Sequence, residues 1–402
     1  MKKGLNNSSV QIMNVTLIIN LLRKHQANSR IELSHLTGLT QATISNIINS
    51  LIGIGLVYEY PKNSNGVGRR SVGLALNYDR FHIIHVRVTN TRFSAGRYNL
   101  QGKQLDQRSL EYAAGSAPRD MMNLIKAQIA KLIDVNYYPP ILGIGIALPG
   151  PYNSESYCSS IGELHGWDDI DIRKEFESEF NLPAFAENDA NIGALNEWWN
   201  DPSITDSDTL VYITTAEGTG SGIVANGTLL RGSQGIAGEI GHMTVNVNGP
   251  RCKCGNYGCL ELYTSTAVLL EKARTLSAGR CDTLLKPDST KREFFDACRA
   301  RDALACEILN EALSYFSSGV INIIYLYNPN LIIFGDEMVT YGVGSELLTY
   351  VKKRVKERVS SDISGKIALK LSTSQTDPAL LGAGVLVMNN ISTILFERGI
   401  LS

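Results

Sequence analysis

The sequence predicts an α/β protein: a small helical head with a two-stranded wing, followed by a larger body of alternating strands and helices. Three observations carry this reading. Residues 29–57, SRIELSHLTGLTQATISNIINSLIGIGLV, read as two amphipathic helices separated by a glycine turn. From residue 82 onward, short apolar runs alternate with helical patterns, the texture of sheets covered by helices. Charge is also divided unevenly. Residues 1–77 carry Lys2, Lys3, Arg23, Lys24, Arg30, Lys62, Arg69 and Arg70 against Glu32 and Glu59, a local +6 in a chain of net charge −1.

The head comes first, over residues 1–77. Residues 12–25, IMNVTLIINLLRKH, have helical apolar spacing and end in basic residues, which suit the negative end of a helix dipole. Ser29 is placed to cap the next helix, which carries Ile31, Leu33 and Leu36, and Gly38 ends it. Thr40 caps a further helix whose Ile44, Ile47, Ile48 and Leu51 share one face. Its other face offers Gln41, Ala42, Thr43, Ser45 and Asn46, short side chains suited to a groove edge. Helix, glycine turn, polar-faced helix is the helix-turn-helix pattern. Residues 57–76 then read as two strands around a Gly- and Asn-rich tip bearing Arg69 and Arg70, a wing. A three-helix domain that binds protein is the alternative. Charge, wing and polar helix face together favour double-stranded DNA, with Arg69 and Arg70 reaching phosphate or the minor groove.

In the body, residues 83–88, 141–148, 184–189, 209–215 and 330–335 read as strands. Residues 119–134, 190–199, 263–277 and 303–327 read as helices, and 61–68 and 278–290 are the most linker-like stretches. At 402 residues, 44% hydrophobic and 19% charged, the chain fits a globular protein of two or three domains. No segment reads as a membrane helix, and MKKGLNNSSV lacks an apolar signal core, so a cytoplasmic protein is expected.

Seven cysteines, an odd number with one tight cluster, fit a reducing compartment and metal binding better than a disulfide framework. The cluster lies in GHMTVNVNGPRCKCGNYGCLELY, residues 241–263, which holds His242, Cys252, Cys254 and Cys259. Three thiolates and one imidazole complete a tetrahedral zinc shell, with no position left for a reacting water. A metal held there is therefore expected to be structural; the alternative is four unmetallated core residues. Cys158, Cys281, Cys298 and Cys306 read as small apolar core residues. Asn188 and Asp189 sit where a strand meets the next helix, the usual place for ligands in open α/β sheets. There Asp189 either accepts a hydrogen bond from a ligand or caps the helix.

Three stretches carry a family resemblance: ENDANIGAL at 187–195, EGTGSGIVANGTLLRGSQGIAGEIGH at 217–242, and CKCGNYGCLE at 252–261. With the winged head and DPALLGAG at 377–384, they make the chain resemble the ROK family (repressors, open reading frames and sugar kinases), in its repressor branch. The branch is typified by repressors responsive to glucose, N-acetylglucosamine and xylose. The resemblance implies a two-lobed, actin-like (ribonuclease H-like, hexokinase-type) body with a sugar bound between lobes. One α/β lobe would comprise residues 78–189 plus 376–402; the other, 190–375, would carry the zinc site and an oligomerisation surface. It implies sugar contacts at Asn188, Asp189, Glu239, His242 and Glu261, with His242 also a zinc ligand. In kinases of the family, the residue matching Asp189 is the general base.

The resemblance also says where phosphate chemistry would sit. Kinase members begin their body with a D-x-G-G-T-type loop, whose glycine N–H groups close on phosphate and whose Asp helps hold magnesium. Here that loop aligns with Arg87-Val88-Thr89-Asn90-Thr91: the acid has become Arg87 and both glycines are gone. The second phosphate loop, 217–222, keeps its glycines, while the later G-G-G loop reads Gly335-Asp336-Glu337. The P-N-x-x-G-W segment reads Glu163-Leu164-His165-Gly166-Trp167, a departure on one side of the sugar. The expected protein is thus a sugar- or sugar-phosphate-responsive repressor of carbohydrate genes, a homodimer or homotetramer, with no enzyme activity. The alternatives are a sugar kinase bearing a DNA-binding head, and a repressor controlled by a membrane sugar-transport protein through residues 392–397 and the following Ile400 and Leu401.

Overall fold

The computed structural model describes residues 7–24, 27–62, 71–113, 115–133, 139–153, 158–159, 164, 167, 170–374 and 377–401. The first helix, Asn7–Arg23, buries Val15, Ile18, Ile19 and Leu22. The second, Arg30–Thr37, starts on Ser29, whose hydroxyl accepts from the Glu32 N–H, while the Glu32 carboxylate accepts from the Asn28 N–H at 2.8 Å. One donor that the helix start leaves unpaired, the Glu32 N–H, and the donor just before the cap are satisfied in this way. The helix ends at Gly38, whose φ of +71° lets its N–H turn back to the Ser34 carbonyl. Leu33 is its buried residue; Ile31 and Leu36 are exposed. The third helix, Gln41–Gly53, starts on the Thr40 cap and buries Ile44, Ile47, Ile48 and Leu51 as its spacing predicts. Strands Val57–Lys62 and Ser71–Leu76 form the antiparallel wing, with Val57 opposite Leu76. The tip bearing Arg69 and Arg70 lies outside the described residues.

The head is stitched to the body that follows it. Arg80 Nε donates to the Ile54 carbonyl at 2.6 Å, and the Asn77 N–H donates to Leu56 O at 2.8 Å. The first helix also packs against the last, Ile391–Glu397, which buries Ile391, Ile394 and Leu395. One compact unit therefore comprises Met1–Ile146, Asp169–Ala186 and Ala383–Ser402, head included. The other comprises Ala147–Asp168 and Glu187–Gly382.

Two five-stranded sheets organise the body. The first runs Gln104–Glu111, Arg92–Asn99, His82–Val88, Ile141–Leu148, Ala184–Asn188. The second runs Thr228–Leu229, Thr219–Ala225, Thr209–Thr215, Leu331–Asp336, Ala368–Leu371. Ranked by chain order, the strands of both sheets lie 3-2-1-4-5, and in both the first three form an antiparallel meander. In the second sheet the remaining neighbours are parallel. The same plan is thus built twice from sequences without an evident repeat. Against the second sheet, Val211, Ile213, Ile332 and Phe334 share a core with helix Ala303–Tyr327.

Two long uncharged stretches, 312–335 and 378–396, test the membrane expectation. The first turns from helix to strand at Asn328, a left-handed cap with φ +45°, and the second bends by 52° between helices Pro378–Asn389 and Ile391–Glu397. No single helix among the described residues is long and apolar enough to cross a membrane.

Candidate zinc and ligand site

His242 ends a short 3-10 turn, Ile240–His242, and the three cysteines sit on the irregular hairpin that follows. Two isolated bridges, Thr244 with Cys259 and Arg251 with Tyr257, hold the hairpin closed. Gly258 makes this possible. It has φ +61°, and a Cβ there would lie 1.7 Å from the Asn246 carbonyl oxygen. The result brings His242, Cys252, Cys254 and Cys259 together, their ligand atoms all within 4.8 Å of one another. Cys254 and Cys259 sulfurs are 3.7 Å apart, and Cys252 Sγ is 3.7 Å from His242 Nδ1. A zinc tetrahedron with sulfur arms of about 2.3 Å has edges of this length. Burial and the neighbouring thiols push Cys259 up to about 12, while at Cys254 burial is outweighed by hydrogen bonds and the thiol lies below its usual range. A cluster whose thiols cannot all ionise together is one that a dication stabilises.

The ring orientation of His242 matters beyond the metal. Nδ1 faces the thiols and Nε2 faces Glu239 Oε2 at 3.9 Å, so a metal held on Nδ1 would leave the ring proton on Nε2. That gap is too long for a direct hydrogen bond. A hydroxyl between the two can accept from Nε2–H and donate to the carboxylate. Glu261 lies on the same cluster: its Oε2 accepts from the Thr219 N–H at 3.2 Å, and Lys253 Nζ approaches its Oε1 at 3.5 Å. Gly241 lets these parts meet, since a Cβ there would lie 2.1 Å from Thr219 O and 3.4 Å from the Glu261 Cβ. Glu239, His242 and Glu261 are thus assembled by one turn and one hairpin.

Asn188, rather than Asp189, caps helix Asp189–Asn200: its Oδ1 accepts from the Ala190 and Asn191 N–H groups. Its Nδ2 donates to the Gly150 carbonyl at 2.7 Å. Asp189 occupies the first helical position, so the cap alternative for this residue is excluded. Sequence reasoning missed Glu187 and Arg231. Glu187 is 3% exposed, and its carboxylate accepts from Arg231 Nε at 2.6 Å, Asn191 Nδ2 at 3.1 Å and the Asn188 N–H at 3.0 Å. The signal was present as an acid at the end of an apolar strand, next to two residues already singled out.

The segment aligned with the first phosphate loop is a closed turn between strands His82–Val88 and Arg92–Asn99. The Thr89 N–H donates to Arg92 O at 2.8 Å, and the Thr89 hydroxyl accepts from the Arg92 N–H at 3.0 Å. The Thr91 N–H points at the same hydroxyl, and Tyr112 OH donates to the Thr89 carbonyl. The Thr89, Thr91 and Arg92 N–H groups of this turn are thus directed to partners within the protein. Arg87 lies on the strand opposite Ser94, and Asn90 lies within the turn.

At the later loop, Lys291 Nζ bridges Glu217 and Glu337, 2.9 Å from the Glu337 Oε1, and Thr266 Oγ1 also bonds Glu337. These carboxylates follow the C-terminal ends of parallel strands Thr209–Thr215 and Leu331–Asp336. Glu337 is thus engaged internally. The Asp336 side chain lies outside the described residues, as do Glu163, His165 and Gly166; Leu164 and Trp167 are buried. Among the remaining cysteines, Cys298 is buried and Cys306 half-buried, but Cys281 is exposed, on a polar loop between Arg280 and Asp282. Cys281 is therefore not a core residue. The Cys158 side chain is outside the described set.

On the head, Gln41, Ala42 and Asn46 are exposed, whereas Thr43 and Ser45 are half-buried. The Thr43 hydroxyl bonds Thr40 Oγ1 at 2.9 Å, so it serves the cap as well as the face. Arg30, unremarked in the sequence beyond its charge, ties the second helix to Glu59 of the wing and to Asn49 Oδ1 at 3.0 Å.

The ROK family model matches residues 83–390. The xylose repressor of Bacillus subtilis is 28% identical over 384 residues, covering 95% of this chain and 96% of that protein. The glucokinase of Halalkalibacterium halodurans is 30% identical over 266 residues, covering 64% of this chain and 79% of that protein. A crystal structure of a ROK family transcriptional regulator, described as a homolog of E. coli MLC protein, matches with TM-score 0.82 at 24% identity, over 96% of this chain and 98% of that one. That likeness establishes the actin-like fold, whose doubled strand order is already visible in the two sheets. A family match over most of the chain, joined to that fold, makes this protein a member of the ROK family.

Proposed function

We propose that the protein is a sugar-responsive transcriptional repressor without phosphotransfer activity. The observation that carries the reading is a pairing of opposites: a helix-turn-helix head and an acceptor-rich cluster on the one hand, and on the other a turn whose Thr89 and Arg92 N–H groups are internally bonded. The full-length likeness to the B. subtilis xylose repressor supports it, because that match includes the head. His242, Cys252, Cys254 and Cys259 would hold zinc, which supplies only rigidity to the hairpin presenting Glu239 and Glu261. The carboxylates of Asp189, Glu239 and Glu261 accept sugar hydroxyls, with His242 Nε2–H as donor and Asn188 alongside through its remaining amide hydrogen.

Gln41, Ala42, Thr43, Ser45 and Asn46 would face base edges, with Arg69 and Arg70 on phosphate or in the minor groove. Two heads of a symmetric homodimer or homotetramer would read half-sites about one helical turn apart. The sugar acts only by binding the free and DNA-bound states unequally. A second reading, a sugar kinase with a DNA-binding head, is favoured by the intact glycines of residues 218–222 and the glucokinase relative. A transport protein as inducer is a further variant of the first reading.

The test selects duplexes from a random pool with the full chain. It then titrates the selected complex with D-xylose, D-glucose, N-acetyl-D-glucosamine and their phosphates. Release by one of them is expected; sugar-dependent ADP formation from ATP would promote the kinase reading instead.

A further inference from the structure

The loop that delivers Glu239 and His242, residues 230–238, is pinned through its backbone at both ends. The Leu230 N–H bonds Ile223 O at 2.8 Å, and the Ala237 N–H bonds Arg231 O at 3.0 Å. At its far end Ser221 bonds Gly238 O through both its N–H and its hydroxyl, at 3.1 and 2.8 Å. Gly232, Gly235 and Gly238 all have φ between +71° and +93°, so the loop's own conformation is soft. Its side-chain tie to the sheet is Arg231, whose Nε reaches the buried Glu187 carboxylate at 2.6 Å. Glu187 in turn bonds the Asn188 N–H and Asn191 Nδ2, so it also fixes the backbone that carries Asn188 and Asp189.

We infer that the Glu187–Arg231 ion pair is a positioning latch that sets the loop carrying Glu239 and His242 relative to the strand end carrying Asn188 and Asp189. It thereby sets sugar affinity without touching sugar. The inference rests on the sugar-binding reading for its consequence, but not for its geometry. A buried carboxylate with three donors holds its place firmly, and a guanidinium on a glycine-rich loop is the part free to let go. Loss of the latch leaves the metal cluster formed, because its three cysteines lie beyond the loop and the His242 carbonyl is held to the hairpin itself by Asn256 Nδ2 at 3.0 Å. Helix Gln41–Gly53 belongs to the other compact unit and is left unchanged.

Arg231→Met in the full-length protein tests the inference. A double variant, Glu187→Gln with Arg231→Gln, avoids stranding a buried charge, and Arg231→Lys serves as the conservative rescue. Hydrogen-exchange mass spectrometry is the readout that needs no sugar. Peptides spanning 230–240 should exchange faster in Arg231→Met and in the double variant, with peptides spanning 41–53 unchanged, zinc content unchanged and Arg231→Lys intermediate. The D-xylose, D-glucose or N-acetyl-D-glucosamine concentration that half-releases selected DNA should rise about tenfold in the same order, with sugar-free DNA affinity unaltered. Unchanged loop exchange in Arg231→Met and in the double variant would overturn the latch whatever the sugars do. Faster loop exchange in a protein whose wild type ignores all three sugars would support the latch and sink the sugar reading instead.

Discussion

The turn at Thr89–Arg92 and the loop at 230–242 make an instructive pair. By the family resemblance both align with segments that a sugar kinase would use, and they differ in opposite directions. At Thr89 every glycine is gone, and a threonine hydroxyl and a strand carbonyl engage the turn's N–H groups, sealing it as an ordinary hairpin. At 230–242 the glycines remain, the backbone adopts left-handed angles only glycine takes readily, and the Glu239 carboxylate and the His242 imidazole are brought to a mutual gap of 3.9 Å. On the proposed reading, one segment is closed to anions and the other is open to hydroxyls. Recognition and catalysis are separable on one fold, because they use different loops.

Removing the metal should have the largest effect. Cys254→Ser is expected to lose the bound zinc, measured by elemental analysis, and to lower stability by roughly 3 kcal/mol or more in urea unfolding. A protein equally stable without metal would erase the contrast between a braced loop and a sealed turn. Glu239→Ala comes next. It should fold, hold zinc and bind DNA, yet require at least about tenfold more sugar for release, read by fluorescence anisotropy. A normal response would show that the open loop is not where the effector binds.

Asn46→Ala probes the head rather than the body. It should relax sequence choice at one base pair by about 1–3 kcal/mol and leave the sugar response unchanged. A uniform loss on all sequences would place Asn46 on phosphate. The smallest expected effect sharpens the comparison most. Restoring the acid with Arg87→Asp should leave ATP turnover at background in a coupled ADP assay, because the Thr89 hydroxyl still holds the Arg92 N–H. Turnover from that single change would show the turn to be less sealed than its hydrogen bonds indicate.

Features governed by near neighbours were legible in the sequence. Helix 303–327 was expected with the bounds it has, since Asp302 caps one end and Asn328 the other. The Ser29, Gly38 and Thr40 signals of the head are equally local. The cluster of His242, Cys252, Cys254 and Cys259 was legible because metal-binding chemistry restricts residue type. What the sequence hid is non-local. Strands Arg92–Asn99 and Gln104–Glu111 are polar enough on alternate positions to pass as loops until paired in the meander. The Glu187–Arg231 pair joins residues 44 apart, with nothing in either neighbourhood naming the other. Asn188 took the cap that was the alternative for Asp189, because a helix start shifted by one residue exchanges their roles. The loss of the kinase loop could be read from Arg87 and the missing glycines, but its closure by Thr89 needed the fold.

The central claim is that this body recognises sugar and moves DNA rather than phosphate. One mixture tests it most directly: full-length protein on its selected duplex with ATP and magnesium, titrated with D-xylose, D-glucose or N-acetyl-D-glucosamine. Anisotropy and ADP are recorded together. The account predicts a fall in anisotropy with one of the sugars while ADP stays at the sugar-free level. ADP rising with sugar while the duplex stays bound would contradict it.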